Sequence, residues 1–142
     1  MTGTTWGFFY GGLINPDVME RVGLRAMNQR RAFLPGHAIE IAPLVNLRPS
    51  PADTAFGLLM EVRHEDLQHV YGQLKATYLP YPVLAHDFEG ALVPALCYIV
   101  PEMPAGLAEA DHINPLLRTA TDLGFPGWYL DRIRSFLPEA RA

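Results

Sequence analysis

The chain has 142 residues, with 11 Lys and Arg against 15 Asp and Glu (11 − 15 = −4), 49% hydrophobic and 18% charged. That balance excludes a disordered chain and predicts a single globular domain over residues 1–142, able to bury a core without disulfides or metal. The negative net charge argues against nucleic acid and anionic membrane as partners, and no window approaches the ~20 apolar residues of a membrane span.

The opening stretch, MTGTTWGFFYGG, has no charged lead followed by a long apolar run, so no signal peptide is expected and the cytoplasm is the predicted compartment. Trp6 to Tyr10 is aromatic and runs into Gly11-Gly12, the pattern of a buried strand followed by a sharp turn. Asn15 then offers a capping oxygen, Pro16 suits the first helical position and Asp17 puts negative charge in the first turn. A helix is predicted from there through Val22, weakening at Gly23. Arg25, Arg30 and Arg31 form a short basic cluster, read as a solvated edge.

From Arg31 to Leu47 apolar residues alternate with polar or small ones, interrupted by Pro35-Gly36 and Pro43, which predicts strands with a turn or bulge. RPSPADT, Arg48 to Thr54, reads as a flexible loop, and AFGLLMEV, Ala55 to Val62, as a central strand. Leu67, Val70, Tyr71 and Leu74 then recur at spacings of three and four, predicting one short amphipathic helix. YLPYPVLAH and ALVPALCYIV flank DFEG, a β-hairpin whose Gly90 supplies a positive φ. Cys97 lies in this apolar run and reads as a buried, inert thiol; as the only cysteine it excludes an internal disulfide. After Pro104 two helices are predicted, HINPLLRTATDLG with its proline near the start and PGWYLDRIRSFL. Strands joined by hairpins, with few intervening helices, argue for an α+β domain: a mixed, partly closed, barrel-like sheet with helices packed outside.

A strand that ends in Gly-Gly and gives way to a capped helix gathers unpaired backbone N–H groups at one point, where a carboxylate or phosphate can be received. FFYGGLINP resembles the YGS/T-L start of the gamma-glutamyl cyclotransferase-like family, AIG2-like proteins included. AFGLLMEV is similar to the central strand of that family, YPVLAHDFEGALVPALCYI to its closing hairpin, and LGFPGWYLDRI to its last helix. The resemblance implies a substrate loop at Tyr10, Gly11, Gly12 and Leu13, with Gly12 where the family has Ser or Thr. It implies also that Tyr129 lies near the pocket, a packing role for that residue being the alternative.

In the family a helix after the central strand carries L-D-x-x-E-G, whose Glu is the acid/base. The substrate's own α-amine attacks its γ-carbonyl, releasing the attached amine and leaving 5-oxoproline. One carboxylate within reach can first take the ammonium proton and then protonate the leaving nitrogen. LQHVYG, Leu67 to Gly72, aligns with this motif without a gap, placing Gln68 for the Asp and Tyr71 for the Glu. A phenol with an ordinary pKa of about 10, against about 4.3 for Glu, is a poor base at neutral pH. Other candidates are expected elsewhere: His69 around the helix from Tyr71, Glu61 and Glu65 on the surface, Glu89 in the hairpin turn, and His37 facing solvent or satisfied in place. The histidines show no ligand spacing, so neither metal nor cofactor is assigned.

Three readings follow. The first is a pocket for a small gamma-glutamyl or other carboxylate or amine ligand, without the standard reaction. The second is an active enzyme using a substitute base, and the third a structural or protein-interaction domain.

Overall fold

A computed structural model describes residues 3–74 and 77–141. Five strands close into a barrel in the order β1-β3-β2-β4-β5, with the helices outside it. The predicted α+β barrel holds, and its closure is complete.

Strand β1 (Thr4–Phe9) pairs antiparallel with β3 (Val45–Arg63), from Thr4 opposite Arg63 to Phe9 opposite Leu58. It closes the barrel by a parallel bridge from Gly7 to Leu96 of β5 (Leu92–Ile99). Phe8, Leu59, Met60, Val62, Ala85 and Cys97 are nearly sealed from solvent, some inside the barrel and some beneath the helices, and form the core with residues from the helices. Burial pushes the Cys97 thiol up to about 12, as befits an inert cysteine.

β2 (Met27–Ile41) is longer than the sequence suggests and continues past Pro35-Gly36, where Gly36 has a φ of 76° and the register shifts as the expected irregularity requires, pairing with β3 as one extended hairpin that turns at residues 42–44. The RPSPADT stretch is no free loop. Arg48 and Pro49 pair with Ala38 and His37, and Thr54 pairs with Pro35, so the residues between them form a wide bulge inside β3. Proline is tolerated at such a bulge because no ladder hydrogen bond is asked of it. At Gly57 a Cβ would collide with the Phe9 carbonyl oxygen, so glycine lets the end of β1 lie close against β3 where the chain turns away.

The second hairpin joins β4 (Leu79–Asp87) to β5, with Gly90 at φ 96° as predicted. Asp87, nearly sealed from solvent, accepts the N–H groups of Ala91 and Glu89, each at 2.9 Å. The Ala91 N–H foremost, then the Glu89 N–H and the Arg30 guanidinium at 3.3 Å, hold its carboxyl below the usual range. Arg30 and Arg31 are thus tied into the edge rather than merely solvated: Arg30 lies over Trp6, and Arg31 over Phe88 while donating to the Leu123 carbonyl.

Asn15 caps helix α1 (Pro16–Val22) by accepting the Asp17 N–H at 2.9 Å, and Gly23 ends the helix in the left-handed region, as the sequence indicates. Helix α2 (His64–Gly72) buries Leu67 and Val70, whereas Leu74 lies beyond its end and is exposed. Helix α3 (Ala110–Asp122) starts earlier than its proline suggests. Pro115 sits inside it, one turn past the positions where a missing N–H costs nothing. Helices α4 (Gly127–Arg134) and α5 (Pro138–Arg141) complete the chain, with Trp128 of α4 exposed.

Candidate functional site

Where β1 leaves the barrel, Tyr10 and Gly11 lead into a single 3-10 turn, Gly12–Ile14, that hands over directly to α1. The N–H groups opening such a turn have no acceptor within it. Neither Gly11 nor Gly12 has a positive φ, so neither is needed there for a left-handed conformation. An added Cβ at Gly11 would meet Val45 in ordinary contact at 3.4 Å, and one at Gly12 would meet nothing within 4 Å. The serine or threonine of the resembling motif would therefore fit at position 12.

This turn forms one wall of a cavity of about 650 Å³ at the barrel mouth. Tyr10, Gly11, Gly12 and Leu13 line it, and Tyr71 lines it as well. Its floor is apolar, with Phe9, Ile14, Val70 and Leu116 buried; its rim carries the exposed Arg21, Asp111 and His112.

Four tyrosines build the wall around position 71. Tyr71 stacks almost parallel on Tyr98, centroids 4.0 Å apart and planes 7° apart, and lies 5.5 Å from the ring of Tyr78. Tyr10 is buried and donates its hydroxyl to the Tyr98 carbonyl at 2.6 Å, while Tyr78 donates to the Val45 carbonyl at 3.5 Å. Burial, followed by the neighbouring Tyr78 and Cys97, raises the pKa of Tyr71 far above the ordinary tyrosine value; Tyr10 is raised in the same way. At neutral pH residue 71 therefore presents a protonated phenol, a hydrogen-bond donor. Its hydroxyl has no hydrogen-bond partner among the described residues.

Asn46 locks two of these walls together. Its side chain is buried and exchanges two hydrogen bonds with the Val100 backbone, both 2.9 Å, as a strand neighbour would. Its neighbour Val45 and the β5 residue Tyr98 are thereby held in fixed relation. Asparagine in a run of alternating residues gives no sign of this duty in the sequence. Nor does the sequence single out Tyr78, Tyr98 or Asp111: strand and helix periodicity says which face a residue takes, not which faces meet across the barrel mouth.

Tyr129 stands apart from the cavity. It is 1% exposed, packs with Phe56, Phe125 and Trp128, and donates to the Phe56 carbonyl at 3.4 Å. The other titratable candidates are engaged elsewhere or exposed. His69 is paired with Gln73 at 2.8 Å, Glu61 with Asn28, Glu65 with Arg63, and His37 with Tyr81 and the Pro35 carbonyl; Glu89 is exposed in its turn. Among the described residues no three His, Cys, Asp or Glu side chains lie close enough to hold a metal ion, and no helix is long and apolar enough to cross a membrane.

No known family model matches the sequence, and no curated protein matches it. Solved structures do match in shape. A gamma-glutamyl cyclotransferase superimposes with a TM-score of 0.81 at 13% identity, over 94% of this chain and 88% of the other. An uncharacterized protein from Homo sapiens gives a TM-score of 0.79 at 14% identity, over 94% of this chain and 88% of that one. A gamma-glutamyl cyclotransferase specific to glutathione, from yeast, gives 0.69 at 12% identity, over 96% of each chain. At these identities the likeness establishes the fold: the chain is built as gamma-glutamyl cyclotransferases are.

Proposed function

We propose that the cavity at the barrel mouth binds a small gamma-glutamyl compound, or a related carboxylate or amine ligand, without the standard cyclotransferase turnover. The observation that carries this reading is that the Tyr10–Leu13 turn and Tyr71 line one cavity. The N–H groups opening the 3-10 turn suit the ligand's carboxylate, a role that fits the glycines because a ligand can approach a bare backbone closely. By its place in the motif, Tyr71 takes the position of the acid/base Glu. A phenol whose pKa burial raises cannot take a proton from the substrate ammonium at neutral pH, so the ligand is held and not cyclised. The partner is a small molecule met in the cytoplasm, not nucleic acid or membrane.

A second reading is supported by one further observation: Asp111 and His112, both in the first turn of α3, line the same cavity. Either could serve as substitute base in an enzyme that releases 5-oxoproline.

Incubation with a panel of gamma-glutamyl compounds, scored for 5-oxoproline, separates the two. The first reading expects no release by the native protein and a gain of turnover in Tyr71→Glu. The second expects native turnover that falls by about a hundredfold or more in Asp111→Asn or His112→Ala. Binding of none of the panel by native protein overturns both.

A further inference from the structure

We propose, resting on the reading of this cavity as a gamma-glutamyl site, that the group attached to the gamma-carboxyl is an apolar amine rather than an amino acid or peptide. The cavity is larger than a glutamyl group needs: its 650 Å³ corresponds to about twenty water volumes. The surplus lies against apolar side chains. Val18 and Val22, one turn apart on the same face of α1, both line it, together with Leu13 from the preceding turn. On α3, Pro115 and Leu116 line it, and the Thr119 hydroxyl on that stretch already donates its proton to the Pro115 carbonyl at 3.1 Å.

Charge points the same way. The charged lining residues among those described, Arg21 and Asp111, are one of each sign and stand on the exposed rim. A peptide tail ending in a second carboxylate gains no net attraction there and would cover the apolar wall with a strongly hydrated group. An alkyl or aryl tail instead replaces water over Val18, Val22 and Leu116, and each methylene so buried is worth roughly fourfold in affinity.

Calorimetric titration of the full chain with three probes tests this: gamma-glutamyl-hexylamide, gamma-glutamylglycine and N-hexylacetamide. The expected result is that the hexylamide binds at least about tenfold more tightly than gamma-glutamylglycine. Val18→Asp, which introduces a charge on the apolar wall, should collapse that ratio toward one; where it fails to fold, the nearly isosteric Val22→Thr should lower the ratio in the same direction. Equal binding of the two gamma-glutamyl probes overturns the apolar-tail assignment and leaves the gamma-glutamyl site standing. Binding of N-hexylacetamide alone overturns the gamma-glutamyl site and keeps the apolar arm. Binding of none overturns both, and a ratio that survives both substitutions overturns the placement of the tail between α1 and α3.

Discussion

Tyr71 and Tyr129 lie on outer helices, and each ring meets other aromatic rings, yet they belong to different regimes. Tyr129 is closed on all sides and its hydroxyl has an acceptor in the Phe56 carbonyl. Tyr71 is half-buried, lines a cavity, stacks on Tyr98 and has no hydrogen-bond partner for its hydroxyl among the described residues. Burial raises the pKa of both, so the pKa does not distinguish them. The difference lies in where the oxygen goes. A tyrosine kept for packing finds its hydroxyl a fixed acceptor, whereas one facing a cavity leaves it to solvent or to a ligand.

Truncation breaks the comparison most forcefully. Tyr129→Ala leaves a large void among Phe56, Phe125 and Trp128 and should cost about 3–5 kcal/mol in urea unfolding, the range of large aromatic truncations in cores. Tyr71→Ala loses its stacked contact with Tyr98 and its tilted contact with Tyr78 beside space already open, and should cost about 1–2 kcal/mol. Equal costs would make the cavity wall a part of the core and remove the basis for a ligand there.

High pH gives the next largest effect. A thiol or phenol whose folded pKa is raised keeps its proton when the unfolded chain has lost it, so the unfolded state binds fewer protons and stability falls as pH rises. The decline should start gently above about 8.5, the ordinary thiol value, through Cys97, which folding pushes up to about 12. Above about 10 it should steepen by roughly 1.4 kcal/mol per pH unit for each buried tyrosine, Tyr10 and Tyr129 foremost. Below about pH 7 these groups contribute almost no slope. Urea midpoints measured from pH 7 to 11, with phenolate absorbance followed in parallel, check this; a flat profile to pH 11 would mean that the tyrosines ionise freely in the folded protein.

Much of the architecture can be read from local signals because those signals are physical necessities at single positions. Asn15, Pro16 and Gly23 start and stop α1, and Gly90 turns the second hairpin. What stays hidden depends on partners distant in sequence. Pro49 and Pro51 read as loop because proline cannot serve a ladder, but strand β2 beside them continues and turns the interruption into a bulge. Pro115 reads as a helix start until Ala110 to Asn114 are seen to add a turn before it. The Tyr10–Leu13 turn can be picked out by its glycines, whereas Tyr78 and Tyr98 share its cavity because the barrel closes, and Asp111 and His112 because α3 packs beside that turn.

The finest test removes one oxygen from each tyrosine. Tyr129→Phe strips the Phe56 carbonyl of its buried donor, and at a separation of 3.4 Å the loss should be about 1 kcal/mol. Tyr71→Phe takes nothing from a partner among the described residues, so its stability should stay within about 0.5 kcal/mol of the native chain. If that free hydroxyl donates to a bound ligand, the same substitution should weaken binding of gamma-glutamylglycine by about three- to tenfold, the worth of one neutral hydrogen bond. A loss of affinity at unchanged stability is the signature of a group held for something outside the protein. Loss of stability in its place would put Tyr71 beside Tyr129, as part of the packing.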